Sequence, residues 1–254
     1  EREEIEEEEE HLGLRVECEE KNQSITTDDE GSYLVNIIND TGEPQELDFK
    51  AHLIYSTDED ERIEWNVRFV GEESVSKGDS VFRKEIDLDA GEEELMRVNI
   101  SAPSGARYGE KLEVVIDVTS RKDTLVSDSV TLIATARPMI VAVKTQINQE
   151  KNVADYIAAL SKDNNFGVFS ILSPKPVRGY VFMEVMNPQR VEEAISSMRK
   201  AKGVVKGETS LEEIEHFLAP KLAVEGIAEG DIVELSAGPF KGEKARVTQI
   251  DEDN

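Results

Sequence analysis

The stretch Arg178–Val185, RGYVFMEV, decides how the second half of the chain is read. Side chains of a strand alternate between its two faces. One face here carries Val181, Met183 and Val185, and the other carries Arg178, Tyr180, Phe182 and Glu184. The first set suits a buried core. The second puts two aromatics on a mixed surface. The first five residues also fit the basic, glycine, aromatic, any, aromatic opening of an RNA-recognition strand, whose aromatics stack bases.

The flanking segments supply the context. MIVAVKTQ (139–146) reads as a strand that sends Val141 and Val143 inward and leaves Ala142 and Lys144 beside the aromatics. QEKNVADYIAALSKD (149–163) reads as a helix, with Val153, Ile157 and Leu160 recurring at intervals of three and four. VFSILS (168–173) and RGYVFMEV are strands around a PKP turn. A second helix is predicted over NPQRVEEAISSMRKA (187–201), with Asn187 as N-cap and proline at the first helical position. The strand GVVKGE (203–208) follows, then SLEEIEHFL (210–218), where Ser210 and Glu213 have capping-box spacing. Strand, helix, strand, strand, helix, strand is the ferredoxin-like order, an α+β fold with both helices on one face of the sheet. The open face then holds a shallow apolar patch, with Tyr180 and Phe182 around a floor at Ala142. Base stacking calls for an aromatic on the first strand and a basic surround. This sequence offers Ala142 and zero net charge over residues 139–220, and Val181 stands where the recognition strand calls for glycine or alanine. A protein surface is the better ligand for such a patch.

The first half follows a different rhythm. EREEIEEEEE has eight glutamates in ten residues, and residues 1–12 are expected to be an acidic, disordered tail. Residues 13–137 alternate in short runs such as SYLVNIIND, LDFKAHLIYS, LMRVNISA, KLEVVIDVTS and SVTLIATA, separated by turn signals such as DTGEP and DAGEE. Seven or eight such strands predict an all-β sandwich of immunoglobulin-like type, with Trp65 in the core on a central strand. APSGARYGEKLEVVIDVTS is similar to a late hairpin of immunoglobulin-like modules.

Charge and composition exclude several function classes. The net charge is −26, of which −22 falls on residues 1–138, and no segment is basic, so contacts to many phosphates cannot drive nucleic-acid binding. Cys18 is the sole cysteine, which excludes an internal disulfide, and His11, His52 and His216 have no ligand-like spacing. No Ser/His/Asp set, Cys/His pair or phosphate loop is visible, so neither an enzyme nor a cofactor or metal site is expected. No apolar run approaches the roughly 20 residues a bilayer requires, and no signal peptide is visible, so a cytoplasmic protein is expected. N-x-[ST] matches at Asn22, Asn39 and Asn99 leave an extracellular adhesive module as a rival reading.

Residues 139–254 resemble an archaeal NusG-type transcription elongation factor, a relative of the larger subunit of eukaryotic DSIF. MIVAVKTQINQEKNVA, VFSILSPKPVRGYVFMEV, RKAKGVVKGETSLEEIEHFLAPK and GDIVELSAGPFKGEKARVTQID carry the resemblance, the last as the start of a KOW motif with Gly242 at its glycine. It implies an NGN domain over 139–219, a linker over 220–228 and a partial SH3-like KOW barrel over 229–254, with the chain expected to break off inside that barrel. The fused sandwich is a departure from the family pattern. By resemblance, Ala142, Tyr180 and Phe182 form the depression that docks on the clamp coiled coil of RNA polymerase and favours processive elongation. A small zinc-ribbon elongation-factor subunit is the implied heterodimer partner. It would be met by Glu213, with Glu212 close in register and a capping-box role competing for Glu213. Lys241, Lys244 and Arg246 are the residues available to contact nascent RNA or a ribosomal protein, or they form a solvated barrel rim. An RNA-binding or ribosome-associated KOW protein is the alternative function.

Overall fold

Period-two alternation underlies most of the nine strands of the first half, described by a computed structural model that covers residues 13–58, 62–71, 82–164, 167–218, 228–236 and 240–249. The acidic segment 1–12 with His11, and the linker apart from Ala228, lie outside the described residues. The strands are β1 (Leu14–Cys18), β2 (Asn22–Ile25), β3 (Glu30–Asn39), β4 (Gln45–Tyr55), β5 (Asn66–Phe69), β6 (Phe82–Leu88), β7 (Glu93–Ser101), β8 (Lys111–Ser120) and β9 (Ser127–Ala136). They form two sheets, ordered β1-β3-β7-β5 and β2-β9-β8-β4-β6.

The inward residues of both sheets share one core, including Leu14, Tyr33, Val35, Phe49, Val98, Leu112, Ile116 and Leu132. Phe69 and Phe82 stack at 4.3 Å, and Phe49 meets each edge-on at 5.8 Å, a preferred aromatic geometry. Hydrogen bonds also cross between the sheets, among them Tyr33 Oη donating to the Ile133 carbonyl at 2.9 Å and Val16 N–H donating to Asp128 Oδ2 at 2.6 Å. Trp65 is buried as expected, but it precedes β5, an edge strand rather than a central one. β2 has no counterpart among the sequence-predicted strands. It pairs parallel with β9, and only Ile25 of its four residues is buried, so it lacks an alternating apolar signature.

The second half builds β10 (Met139–Thr145), α1 (Glu150–Asn164), β11 (Val168–Leu172), β12 (Tyr180–Val185), α2 (Pro188–Ile195) and β13 (Ala201–Val204). The sheet order is β11-β12-β10-β13, antiparallel throughout. Val141, Val143, Val181, Met183 and Val185 pack with Val153 and Ile157 of α1 and Val191 and Ile195 of α2. The helix predicted to run to residue 201 stops at Ile195, where the Ser196 hydroxyl donates back to the Glu193 carbonyl at 2.7 Å. Such local serine bonds compete with helix continuation. β13 begins at Ala201 instead of Gly203, because a register shift opposite Lys144 and Thr145 lets the ladder start two residues earlier.

Only Arg137 and Pro138 separate β9 from β10. Arg137 N–H donates to the Ile25 carbonyl at 2.9 Å, and its guanidinium grips both Glu208 oxygens at 2.6 and 2.9 Å. Thr27 Oγ1 donates to the Met186 carbonyl at 2.9 Å, and Asn187 Nδ2 donates to the Ser104 carbonyl at 2.7 Å. Met186 itself packs in the sandwich core, and the Tyr108 and Phe169 rings meet edge-on at 5.8 Å. The sandwich and the α+β sheet accordingly form one compact unit up to Glu208, and Thr209–Asn254 form a second. That second unit holds α3 (Leu211–Leu218) and a hairpin of β14 (Ile232–Glu234) and β15 (Lys244–Arg246).

Asn187 does two jobs in this joint, since its Oδ1 also accepts from the N–H groups of Gln189 and Arg190 at 2.9 and 3.4 Å to cap α2. Asn187→Ala should lower stability by about 2 kcal/mol, roughly half from the cap and half from the lost bond to Ser104. Asn187→Asp keeps the cap acceptor and loses the donor. Urea denaturation of the two variants separates the terms; an unchanged midpoint for both would show that the joint contributes nothing.

Candidate functional site

The register of the sheet builds the open face directly. Across β10 and β12, Ala142 pairs with Phe182, Lys144 with Tyr180 and Ile140 with Glu184. On the other side of β12, Leu172 pairs with Phe182, while Val205 N–H extends the β13 ladder to the Ala142 carbonyl at 2.8 Å. Leu172, Phe182, Ala142 and Val205 therefore form an apolar row across the whole sheet, on the face away from α1 and α2. Ala142 is only 8% exposed, Phe182 and Leu172 are half-buried and Val205 is exposed. Tyr180 and Lys144 make the next row on one side. On the other, Ser170 Oγ lies 3.2 Å from Glu184 Oε2, a polar border.

Ala142, Tyr180 and Phe182 are thus brought together, and Leu172 and Val205 join them unpredicted. Alternation in VFSILS offered Leu172 a face but no register, since a shift between Val168 and Ser170 decides which β12 residue it meets. Val205 lay inside a predicted strand that starts two residues earlier than read.

Glu150 is a third residue that sequence reasoning missed. Its carboxylate, in the first turn of α1, accepts the N–H of Gly179, the residue that turns the chain into β12 just before Tyr180. Gly179 has φ of +84°, a left-handed conformation that favours glycine, and its carbonyl accepts Thr145 N–H at 2.8 Å. Backbone N–H donors, chiefly its own and then that of Gly179, hold the Glu150 carboxyl below its ordinary range. The visible signal was an acid in a first helical turn.

The remaining candidates lie in the second unit. Ser210 and Glu213 form the capping box: Glu213 Oε2 accepts Ser210 N–H at 2.9 Å, and Ser210 Oγ accepts Glu213 N–H at 3.3 Å. Lys244 and Arg246 are exposed on β15, opposite Glu234 and Ile232, and Lys241 is exposed beside Gly242, whose N–H closes the turn onto the Leu235 carbonyl at 2.8 Å. Among the described residues, no group of three or more His, Cys, Asp or Glu is placed to hold a metal ion. No described helix is long and apolar enough to cross a membrane.

A four-stranded βαββαβ sheet with an apolar row on its open face, followed by a KOW-type hairpin, defines the class of NGN–KOW proteins. Residues 139–218 match the family described as "Early transcription elongation factor of RNA pol II, NGN section", and residues 229–254 match the KOW motif. "Transcription elongation factor Spt5" of Methanocaldococcus jannaschii is 44% identical over 113 residues, 44% of this chain and 77% of the relative. The protein of the same name from Pyrococcus furiosus is 47% identical, over 44% of this chain and 74% of its own length. A solved structure entitled "Crystal Structure of MjSpt4:Spt5 complex conformation A" aligns with a TM-score of 0.38 at 41% identity, covering 45% of this chain and 80% of that one. The chain belongs to the Spt5 family of transcription elongation factors.

The lowered Glu150 carboxyl has a pH signature. Its bonds to backbone N–H groups are fully present above the unfolded value of 4.5 and are lost as pH falls through the lower folded value. In an NMR titration the Gly179 amide proton should therefore shift with a midpoint below 4.5, and Glu150→Gln should remove that titration. A midpoint at or above 4.5 would break the assigned link.

Proposed function

We propose that this chain is a noncatalytic elongation factor whose apolar row docks on the clamp coiled coil of RNA polymerase. The carrying observation is the continuous row Leu172–Phe182–Ala142–Val205 with Tyr180 beside it, in a domain of the Spt5 family. A helix tip seated there would be gripped by a few buried aromatic contacts, with Tyr180 and Phe182 as anchors and the Ala142 methyl leaving room between them. Binding that is stronger in the closed, elongating state shifts the polymerase toward that state without any chemistry. A polar border at Ser170 and Glu184 fixes register at little cost in affinity.

The heterodimer partner in this reading is the small zinc-ribbon subunit. Glu213 keeps one carboxylate oxygen outside the capping box, and a carboxylate accepts several hydrogen bonds at once, so it serves its own helix and a partner helix terminus together. The exposed Lys241, Lys244 and Arg246 give the KOW hairpin a modest basic edge for nascent RNA or a ribosomal protein. The first half is read as immunoglobulin-like, because β1-β3-β7-β5 follows the A-B-E-D order and β9-β8-β4 the G-F-C order. It departs from that pattern in sending β5 to the first sheet before β6 returns to the second. Cytoplasmic residence follows from a role on polymerase.

Ala142→Arg places a charge in the middle of the row, from which the long side chain reaches solvent without entering the core. The variant should retain the parent's melting profile yet lose polymerase binding by at least tenfold. A folded variant that binds polymerase as the parent does would refute the docking.

A further inference from the structure

We propose that the outer face of sheet β1-β3-β7-β5 carries a second docking groove, for a protein segment in which apolar side chains alternate with lysine or arginine. A cavity of about 300 Å³ opens on this face between the turn after β1 and strand β7. Leu34 and Leu95 form its apolar walls and are 49% and 58% exposed. They stand on adjacent strands, Leu95 opposite Asn36 and Leu34 two residues earlier on β3. Outward positions of a sheet facing water ordinarily carry polar residues, so two neighbouring leucines there invite cover.

Asn36 supplies the second observation. Its Nδ2 donates to Glu93 at 2.8 Å, while its Oδ1 is shielded from water and has no partner among the described residues. Glu17, Glu19 and Glu20 form the acidic rim, Glu17 already engaged by Arg15 at 2.6 Å. The domain around them is acidic, with a net charge of −15 over residues 13–137. Donors that bring positive charge are favoured on such a rim. Arg97, opposite Leu34, does not line the cavity. The occupant that matches the walls and the rim is an extended segment whose leucine-like side chains meet the walls while its long basic side chains reach back to the rim carboxylates. Nucleic acid matches neither the charge nor the apolar walls. None of Thr27, Ser104 and Arg137, which hold the α+β sheet, lines the groove. The groove and the apolar row share no residue.

Fluorescence anisotropy with the full chain tests the groove, using as probe a fluorescein-labelled peptide, Leu-Arg-Leu-Lys-Leu flanked by glycines. Saturable binding is expected, at least tenfold tighter than for the same peptide with glutamates in place of Arg and Lys, and at least tenfold tighter than for hexalysine. Leu34→Ser combined with Leu95→Ser, both at exposed positions, should weaken it by at least tenfold. Hexalysine binding as tightly as the probe, the double serine variant binding like the parent, or no saturation of the probe would each overturn the proposal.

Discussion

Ala142 opposite Phe182 is the pairing on which the open face depends. The two strands are central to a sheet whose other face is filled by α1 and α2, so a one-residue slip of β10 would send Val141 and Val143 to solvent, and a slip of β12 would do the same to Val181 and Met183. The core therefore fixes the register, and the register fixes the apolar row. A small residue at Ala142 leaves space between Phe182 and Val205 that a larger side chain would fill. The arrangement of the solvent face is thus enforced by packing on the hidden one.

The joint between the two halves works by a different principle. Its Arg137–Glu208 pair is about a third exposed, and pairs of that kind contribute roughly 1 kcal/mol or less. What holds the sandwich in place is the set of less exposed contacts: Met186 inserted in the sandwich core, Asn187 shared between a helix cap and Ser104, and Thr27 on the Met186 carbonyl. All three belong to the segment that leaves β12 toward α2. The strand that carries Phe182 and Tyr180 is accordingly tied to the sandwich at one end and, through Gly179 and Glu150, to α1 at the other.

The parts of this arrangement that a reader of the sequence can reach are those governed by local periodicity. The two faces of RGYVFMEV, the partition of MIVAVKTQ, the cap at Asn187 and the capping box at Ser210 all follow from residue types at fixed spacing. Leu172, Val205 and Glu150 do not, because each depends on a register shift or a tertiary bond between segments far apart in sequence. β2 escaped for a related reason: its stability comes from backbone pairing with β9, and backbone pairing leaves little trace in side-chain pattern. The sequon at Asn39 shows the converse, a local motif with a local structural explanation. Its side chain is buried, with Nδ2 on the carbonyls of Glu43, Leu88 and Asp89 and Oδ1 on Thr41. That environment leaves no room for a glycan in the folded domain.

The two-residue passage from β9 to β10 also orders events during synthesis. Domains fold largely as units, amino-terminal first, as they leave the ribosome. All nine strands of the sandwich have emerged with Arg137, whereas β10, a central strand of the next sheet, must wait for β12 and β13 to be made before both its edges are paired. In the interval Met139, Val141 and Val143 would be a bare apolar ribbon. The Arg137 amide, bonded to the Ile25 carbonyl, ties the start of that ribbon to the paired strands β2 and β9. The short covalent passage thus sets how far the unpaired ribbon can stray before its partners arrive.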